Sequence, residues 1–435
     1  MTVLIIGNGG REHAIAVKLH ESGKVNKIYS IPENAGIDEI GVSYCIGIDD
    51  FKDIRFIIGD LKPDLVIIGP DDPLAKGFAD KLRSLGYRVF GPSKKAALIE
   101  ASKSFAKDLM KKYNIPTAAY EVFDEAATAI AYIKNAKYPL VIKADGLAKG
   151  KGVLICNDYQ EAYDGIRLIM EERHFGSAGE KIVIEEFLVG HEVSIMAFVD
   201  GKTVKTMTSV QDHKRIGDGD TGLNTGGMGT FSPSPYYTEA IDEYCQKHIY
   251  QATVTAMKAE GREFKGILFF GLILTAEGPK VLEYNARFGD PETQVVLPRM
   301  KSDFLDAINA CIDGNLDQID LEFDDEAAVC VILASEGYPE KYKTGVTIFG
   351  TQYFDGKHGY YCFHAGTRNF MDSIVTTGGR VFGITAKGAD LNEARERAYE
   401  ATNKVIFENK YMRNDIGVIS TAQYQETKVD NEGKI

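Results

Sequence analysis

The residues with the clearest chemistry lie in VLEYNARFGDPETQ, residues 281–294. Glu283 and Asn285 are two apart, so on a β-strand both side chains leave the same face. A carboxylate and an amide oxygen on one face suit Mg²⁺, which fills its remaining positions with water and phosphate oxygens. Arg287 is two further on, and the chain then turns through Gly289, Asp290 and Pro291. A metal seat beside a fixed cation is what a transferring phosphoryl group requires. An isolated E-x-N on a strand more often marks a solvated edge. What shifts that balance is how much else in the chain suits a bound nucleotide.

The loop ADGLAKGKG (144–152) lies between the apolar strands PLVIK (139–143) and VLIC (153–156). Its glycines let backbone approach a polyphosphate, and Lys149 and Lys151 bring charge, as a phosphate lid needs. Lys143 leaves an apolar strand, where a lysine requires a partner. In IVIEEFLV (182–189) Glu185 and Glu186 interrupt an apolar strand, and Glu192 follows the turn. Backbone at such a strand end can pair with an adenine edge, and Glu192 can accept ribose hydroxyls, if this strand and the lid hairpin share a sheet. A solvated acid after a turn is an equal alternative for Glu192.

Residues 211–229 (QDHKRIGDGDTGLNTGGMG) are dense in glycine, charge and hydroxyl, and read as neither strand nor helix. A long loop of this kind inside a compact enzyme is usually functional. Asp212, His213, Lys214 and Arg215 bring mixed charge, and Asn224, Thr225, Gly226 and Gly227 can wrap an anion with backbone amides.

The elements that must position these residues begin with an apolar strand at 3–6, the loop GNGGRE (7–12) and an amphipathic helix with Ile15 and Leu19 on one face. Glu12 stands where a dinucleotide fingerprint has its third glycine, so dinucleotide binding is discounted. Gly9, Gly10 and Arg11 can still offer amides and a cation to a single phosphate; a glycine turn serving only β–α packing is equally consistent. Further strands at 27–31, 64–68 and 88–90, with a helix at 76–85, imply a doubly wound parallel sheet. Asp71 and Asp72 follow the strand at 64–68, where such sheets bind ligands, although Pro-Asp-Asp-Pro is also a common turn composition. A helix over 102–113 carries Lys103 and Lys107, with Lys107 read as part of a solvated face. A helix at 238–260 and a hairpin of strands 266–275 and 279–285 follow, then a helix at 303–311 and an acidic linker at 324–326. From Ala327, strands at 328–333, 346–349, 359–364 and 380–385 and a helix at 392–407 read as a separate α+β domain. His364 there is more often structural than catalytic at such a position, and Arg380 shares its region.

A length of 435 residues allows two to four domains. The net charge of −13 leaves no basic footprint for nucleic acid or an anionic membrane. No apolar run is long enough to span a bilayer, and MTVLIIGNGG lacks a basic region ahead of its apolar run. The six cysteines are dispersed and form no C-x-x-C, as in a reduced cytoplasmic protein.

Assembled, these stretches resemble the ATP-grasp superfamily, and within it the phosphoribosylamine–glycine ligase (glycinamide ribonucleotide synthetase) family, nearly end to end. The likeness is carried by GNGGREHA (7–14), GPDDPL (69–74), SKSFAK (102–107), IKADGLAKGKGV (142–153) and IEEFL (184–188). DHKR with NTGGMG, RFGDPETQ (287–294), FHAGT (363–367) and GGRV (378–381) continue it. The resemblance implies a multidomain fold, part α/β and part α+β. Its parts would be a Rossmann-like substrate domain (1–101), a first ATP-grasp part with a mobile lid subdomain (102–190), a second part with the metal site (191–326) and a small C-terminal α+β domain (327–435). ATP would be held by Lys103, Lys143, Gly146, Lys149, Gly150, Gly152, Glu185, Glu186, Leu188 and Glu192, and Mg²⁺ or Mn²⁺ by Glu283 and Asn285. Arg287 and Lys143 would act on the phosphate in transfer. Gly9, Gly10, Arg11, Asp71, Asp212, Lys214, Asn224, Thr225, Gly226 and Gly227 would bind 5-phosphoribosylamine and glycine. The implied reaction is ATP-dependent joining of those two substrates through glycyl phosphate. The implied protein is a cytoplasmic monomer or weak dimer with no nucleic-acid or membrane partner. Three departures stand out: Lys149 replaces a small residue, Leu223 a proline, and strand 266–275 has no acidic metal ligand.

Overall fold

The computed structural model describes residues 1–148, 150–354 and 358–419. Lys149, expected in the lid, lies outside the described residues. Strands β1 (Thr2–Ile6), β2 (Lys27–Ile31), β3 (Val42–Ser43), β4 (Leu65–Ile68) and β5 (Val89–Phe90) form a parallel sheet in the order β3-β2-β1-β4-β5. Val3 to Ile6 are sealed from water, which is why the strand is apolar on both faces. The strand order reverses between β1 and β4, and there the glycine loop and Asp71 emerge side by side.

Strands β6 (Tyr120–Phe123), β7 (Leu140–Ala144), β8 (Val153–Cys156) and β9 (Ile182–Glu186) make an antiparallel sheet in the order β6-β9-β7-β8. The lid hairpin and the IVIEE strand therefore share one sheet. This unit has a core of its own, in which Ile133, Ile142, Ile166 and Ile182 pack together.

Strands β10 (His191–Asp200), β11 (Val204–Thr206), β12 (Gln211–Asp212), β13 (Arg215–Gly217), β14 (Thr221–Asn224), β15 (Gly229–Ser232), β16 (Lys265–Thr275) and β17 (Gly278–Asn285) follow. The central antiparallel sheet runs β11-β10-β16-β17. In β17 the register passes from Val281 opposite Leu272 to Glu283 opposite Gly271, so Leu282 is an extra residue. Past this bulge Tyr284 enters the core, and Glu283 and Asn285 face the other way. Residues 211–229, read from sequence as irregular, instead contain three short strands and the start of β15, with β13 and β14 paired as a ribbon. Gly219, Asp220 and Gly222 have φ of +66°, +53° and +79°, so its polar, glycine-rich composition serves tight turning. The helical run expected at 238–260 is interrupted by a π-turn at Gln246–Tyr250.

Strands β18 (Ala327–Ser335), β19 (Thr347–Ile348), β20 (Tyr360–His364), β21 (Thr367–Phe370), β22 (Ser373–Thr376), β23 (Arg380–Gly388) and β24 (Lys410–Tyr411) complete the chain. Their main sheet is β12-β15-β18-β23-β20, with β24 also paired to β18. The C-terminal region is thus less separate than its sequence suggests, because β12 and β15 precede residue 327 and yet lie in its sheet. Its helix ends at Thr402, short of the expected 407, and Val405 and Phe407 turn back into the core.

The seam between the first and last regions is sealed by histidines. The His364 backbone N–H donates to His13 Nδ1 at 2.9 Å, the rings meet edge-on at 5.4 Å, and the His364 Nδ1 pairs with Thr367 Oγ1 at 3.0 Å. Asn34 Nδ2 donates to the His364 carbonyl at 2.9 Å. His364 is therefore structural here. Burial lowers His13 to about 3 and His364 well below the ordinary imidazole range. The unfolded chain then binds more protons than the native one between pH 6.5 and about 3, so stability falls as pH drops through that window. From pH 7.5 to 5.5 each imidazole should contribute a loss of roughly 1 kcal/mol. His13→Asn, which keeps an acceptor near Nδ1, should flatten that slope in urea unfolding; equal slopes for variant and parent would refute the assignment.

Candidate active site

Side chains from the lid sheet, the central sheet and the 211–229 segment meet around Glu185 and Glu283. Glu185, in β9, is the innermost. Its carboxylate meets Lys143 Nζ of β7 at 3.0 Å and Lys107 Nζ at 2.9 Å, with no more than 8% of any of the three side chains exposed. Lys143 also donates to the Leu282 carbonyl at 3.1 Å, made available by the β17 bulge. Lys107 donates to Thr117 Oγ1 at 2.7 Å, and burial drops it to about 8. Sequence reading had left Lys107 on a solvated face, and that is corrected. It lies one turn beyond Lys103 on helix Lys103–Lys112, a spacing that shares a face, so the signal was present.

Lys103 Nζ donates to the Gly146 carbonyl at 3.1 Å, and its backbone N–H to the Asp145 carbonyl at 3.0 Å. Asp145 Oδ1 accepts from Ser104 N–H at 2.6 Å, so the lid base and the helix start fix each other. Gly146 lies so close to Ala178 that a Cβ would approach it at 2.8 Å. Gly150 has φ +75°, and Lys151 Nζ donates to the Pro339 carbonyl at 3.1 Å, bringing the lid tip to the C-terminal region. A Cβ on Gly152 would meet Ala148 at 2.7 Å.

On the opposite wall, Glu283 stands among cations. Burial alone would raise its pKa, but Lys214, Lys143, Lys103 and Arg287 outweigh it and hold the carboxyl below its usual range. Lys214 Nζ is 3.8 Å from Glu283 and 2.8 Å from Glu192 on β10. Asn285 donates Nδ2 to the Tyr284 carbonyl at 2.9 Å, leaving its amide oxygen as an acceptor. Gly271 faces Glu283 across the register, so no side chain from β16 joins it there. Among the described residues no three acidic, histidine or cysteine side chains cluster to hold a metal. One ionised carboxylate and one amide oxygen fit a hard cation that takes its other ligands from phosphate and water. Glu186 Oε1 accepts from Ala119 N–H at 2.9 Å, and Leu188 lies half-buried beyond β9.

Arg287 is anchored by Glu100 at 3.0 Å, and Glu100 also accepts from Ala286 N–H at 2.7 Å. Asp71 contributes to the field that keeps Arg287 charged. Asp212 is half-buried, its Oδ1 is sealed from water and has no hydrogen-bond partner, and desolvation together with Glu292 pushes it well above the carboxylate range. Glu292 is pushed up likewise, chiefly by its own burial. Arg380 binds Asp290 at 3.2 Å and also the Gly226 carbonyl. Arg380 thus reaches the cleft edge, whereas His364 does not. Glu100, Glu292 and Asp290 were not among the predicted residues, although the last two lie in the RFGDPETQ motif that was.

Two predicted anion cradles are occupied by the chain itself. Gly9 N–H donates to Glu12 Oε2 at 2.7 Å, and Arg11 Nε donates to Glu12 Oε1 at 2.6 Å. Arg11 also donates to the Phe288 carbonyl at 3.1 Å, so neither the first loop amide nor the cation is free. A Cβ on Gly7 or Gly69 would overlap Glu12, which favours the packing reading of these glycines. Gly10 packs on Gln294. In the second cradle, Thr225 N–H donates to the Lys214 carbonyl, Gly226 N–H to Tyr338 OH at 2.9 Å and Gly227 N–H to Thr225 Oγ1 at 3.0 Å. Asn224 pairs with Arg215 in the ribbon. The amides expected to wrap an anion there instead hold the loop's shape.

Comparison with known proteins agrees with this architecture. Family models for phosphoribosylglycinamide synthetase match as its N domain over residues 1–100, its ATP-grasp (A) domain over 101–293 and its C domain over 328–419. The phosphoribosylamine–glycine ligase of Caldanaerobacter subterraneus subsp. tengcongensis is 48% identical over 416 residues, covering 96% of this chain and 99% of that protein. The crystal structure of phosphoribosylamine–glycine ligase from Thermotoga maritima superposes with a TM-score of 0.83 at 37% identity, over 96% of this chain and 100% of that one. The biotin carboxylase domain of the Hydrogenobacter thermophilus 2-oxoglutarate carboxylase shares the fold, with a TM-score of 0.75 at 16% identity over 100% and 99% of the two chains. The chain belongs to the phosphoribosylglycinamide synthetase family of ATP-grasp proteins.

Proposed function

We propose that this chain joins glycine to 5-phosphoribosylamine with ATP, giving glycinamide ribonucleotide, ADP and phosphate in de novo purine biosynthesis. The observation that carries the reading is Glu283, held ionised within a field of four cations at the mouth of the cleft. Full-length similarity to phosphoribosylamine–glycine ligases supports the choice of substrates.

In this reading Glu283 and the Asn285 oxygen hold Mg²⁺, or Mn²⁺ in its place. A divalent ion there supplies charge neutralisation and orientation of phosphate oxygens. Lys103 and Lys143 bind phosphate under the glycine lid. Adenine lies beside Glu185, Glu186 and Leu188, and Glu192 accepts from the ribose. A glycine carboxylate oxygen attacks the γ-phosphorus, ADP departs, and Arg287 steadies the phosphoryl group. The amine of phosphoribosylamine then attacks the acyl carbon of glycyl phosphate; the C–O bond to phosphate breaks and the nitrogen loses a proton. A carboxylate is a poor acyl donor until phosphorylation supplies a leaving group, and no protein nucleophile is required. The Asp212–Glu292 pair, with an oxygen lacking a partner, suits the amine of a substrate, and Lys214 flanks it. The lid keeps water from the acyl phosphate. The substrates are small and diffusible, and no helix among the described residues is long and apolar enough to cross a membrane, which supports a cytoplasmic place of work.

Phosphate release should require ATP, glycine and freshly made phosphoribosylamine together. Release with bicarbonate replacing glycine would overturn this reading in favour of a carboxylase. Glu283→Ala should lower kcat by about a hundredfold or more while leaving thermal unfolding near that of the parent. Near-normal turnover would remove Glu283 from the metal site.

Lys107→Met leaves Glu185 free to neutralise Lys143 fully. We expect KM for ATP to rise about tenfold, equivalent to about 1.4 kcal/mol, with kcat within about threefold. An unchanged KM in initial-rate measurements would mean that Lys107 only fills space.

A further inference from the structure

We infer that Arg413, on the segment that follows β24, is a positioning residue for the catalytic cleft, acting through the β13–β14 ribbon. The inference rests on the function proposed above only for its kinetic readout. Arg413 has 0% of its side chain exposed and none of its roles is in the cleft itself. Its guanidinium grips Asp415 with both arms, Nε to Oδ1 at 2.7 Å and Nη2 to Oδ2 at 2.6 Å. Asp415 Oδ2 in turn accepts from Gly219 N–H in the ribbon turn at 2.8 Å. Nη1 donates to Asp220 Oδ1 at 2.7 Å and to the Arg215 carbonyl at 3.0 Å, both in the ribbon. Nη2 lies 3.4 Å from His213 Nδ1. A buried arginine persists only where its donors are met, and here Asp220 and the Arg215 carbonyl of the ribbon meet Nη1 while Asp415 meets Nε and Nη2.

The neighbours of Arg413 repeat the grip. Asn414 N–H and Nδ2 donate to the Asp218 carboxylate at 2.8 and 3.1 Å. Tyr411 OH donates to the Ile216 carbonyl at 2.8 Å, and Gly417 N–H to His213 Nε2 at 3.3 Å. The residues on both sides of Lys214, His213 and Arg215, are thus fixed from the C-terminal segment. The Lys214 carbonyl is fixed separately by Thr225 N–H and Oγ1, both at 2.8 Å. What remains free to choose its place is the Lys214 side chain, and it reaches Glu192 and Glu283. Asp220 sits in the left-handed region at φ +53°, a conformation that an aspartate tolerates and that its bond to Arg413 favours. Arg413 therefore sets the ribbon, the ribbon sets Lys214, and Lys214 reaches Glu192 and Glu283.

A lysine cannot replace this fork, because a point charge can satisfy one carboxylate but not two together with a carbonyl. The test compares Arg413→Ala, Arg413→Lys and the milder pair Tyr411→Phe with Asn414→Ala, which leaves Arg413 in place should the alanine variant fail to fold. Amide hydrogen exchange over 211–229 should quicken at least tenfold in Arg413→Ala and less in the other two, with exchange over 265–285 unchanged. KM for glycine and for phosphoribosylamine should rise at least tenfold in Arg413→Ala, and Arg413→Lys should recover part of the loss. Unchanged exchange in folded variants overturns the proposal, and so does faster exchange with unchanged KM values. If the parent itself gives no product from these substrates, the proposed reaction fails, and exchange over 211–229 alone then decides for or against the clamp.

Discussion

Glu185 accepts ion pairs from Lys107 and Lys143 at once, with all three groups nearly sealed from water. One carboxylate cannot neutralise two ammonium groups, so the triad keeps an excess positive charge in a medium of low dielectric constant. Burial already shows its cost in the depressed pKa of Lys107. An isolated buried charge of this kind is tolerated only where further partners complete it. The Leu282 carbonyl and Thr117 hydroxyl supply part of that completion. In a protein with net charge −13, an excess of positive charge must be built locally, as it is at this triad.

The same logic recurs outward from Glu185. Each cation of the cleft is aimed by an acid that comes from a different element: Arg287 by Glu100, Lys214 by Glu192 and Glu283, Arg380 by Asp290. Lys103 is aimed instead by the Gly146 carbonyl. The acids lie on the lid sheet, the central sheet, the helix Lys94–Ala101 and the RFGDPETQ turn. No single layer of the fold contains the site. It exists because the first sheet and the central sheet share apolar cores, while the lid keeps a core to itself. That division makes the packing of the lid independent of the core beneath Glu283 and Asn285.

Much of this was legible from residue order. Alternation and apolar runs located β1, β2, β7, β8, β16 and β17 to within a residue or two, because those strands are buried and bounded by glycine or proline. The pairing of Glu283 with Asn285 survives, although the bulge at Leu282 that frees a carbonyl for Lys143 is not visible in a two-residue period. Lys107 was misread because a lysine on a helix is solvated by default, and its buried partner lies 78 residues away in the chain. Residues 211–229 were misread for the converse reason. Glycine and charge there build a ribbon whose stability comes from Arg413 and Asn414, nearly two hundred residues later. Contacts of that range leave no local pattern.

The N-terminal loop shows how a motif can keep its shape and change its use. In open parallel sheets the turn after the first strand commonly offers amides to a ligand phosphate. Here Glu12 supplies the anion from within the chain. Its carboxylate takes the Gly9 amide and Arg11, and Gly7 and Gly69 lack a Cβ so that it fits. Arg11 is spent on Glu12 and on the Phe288 carbonyl, which ties the first sheet to the turn carrying Asp290. Asp290 then fixes Arg380, whose reach to Gly226 shapes the 211–229 segment. An internal carboxylate at the loop thus becomes the first link of a chain of ion pairs and hydrogen bonds that runs from Glu12 through Arg11 to the turn bearing Asp290, and from Asp290 through Arg380 to Gly226.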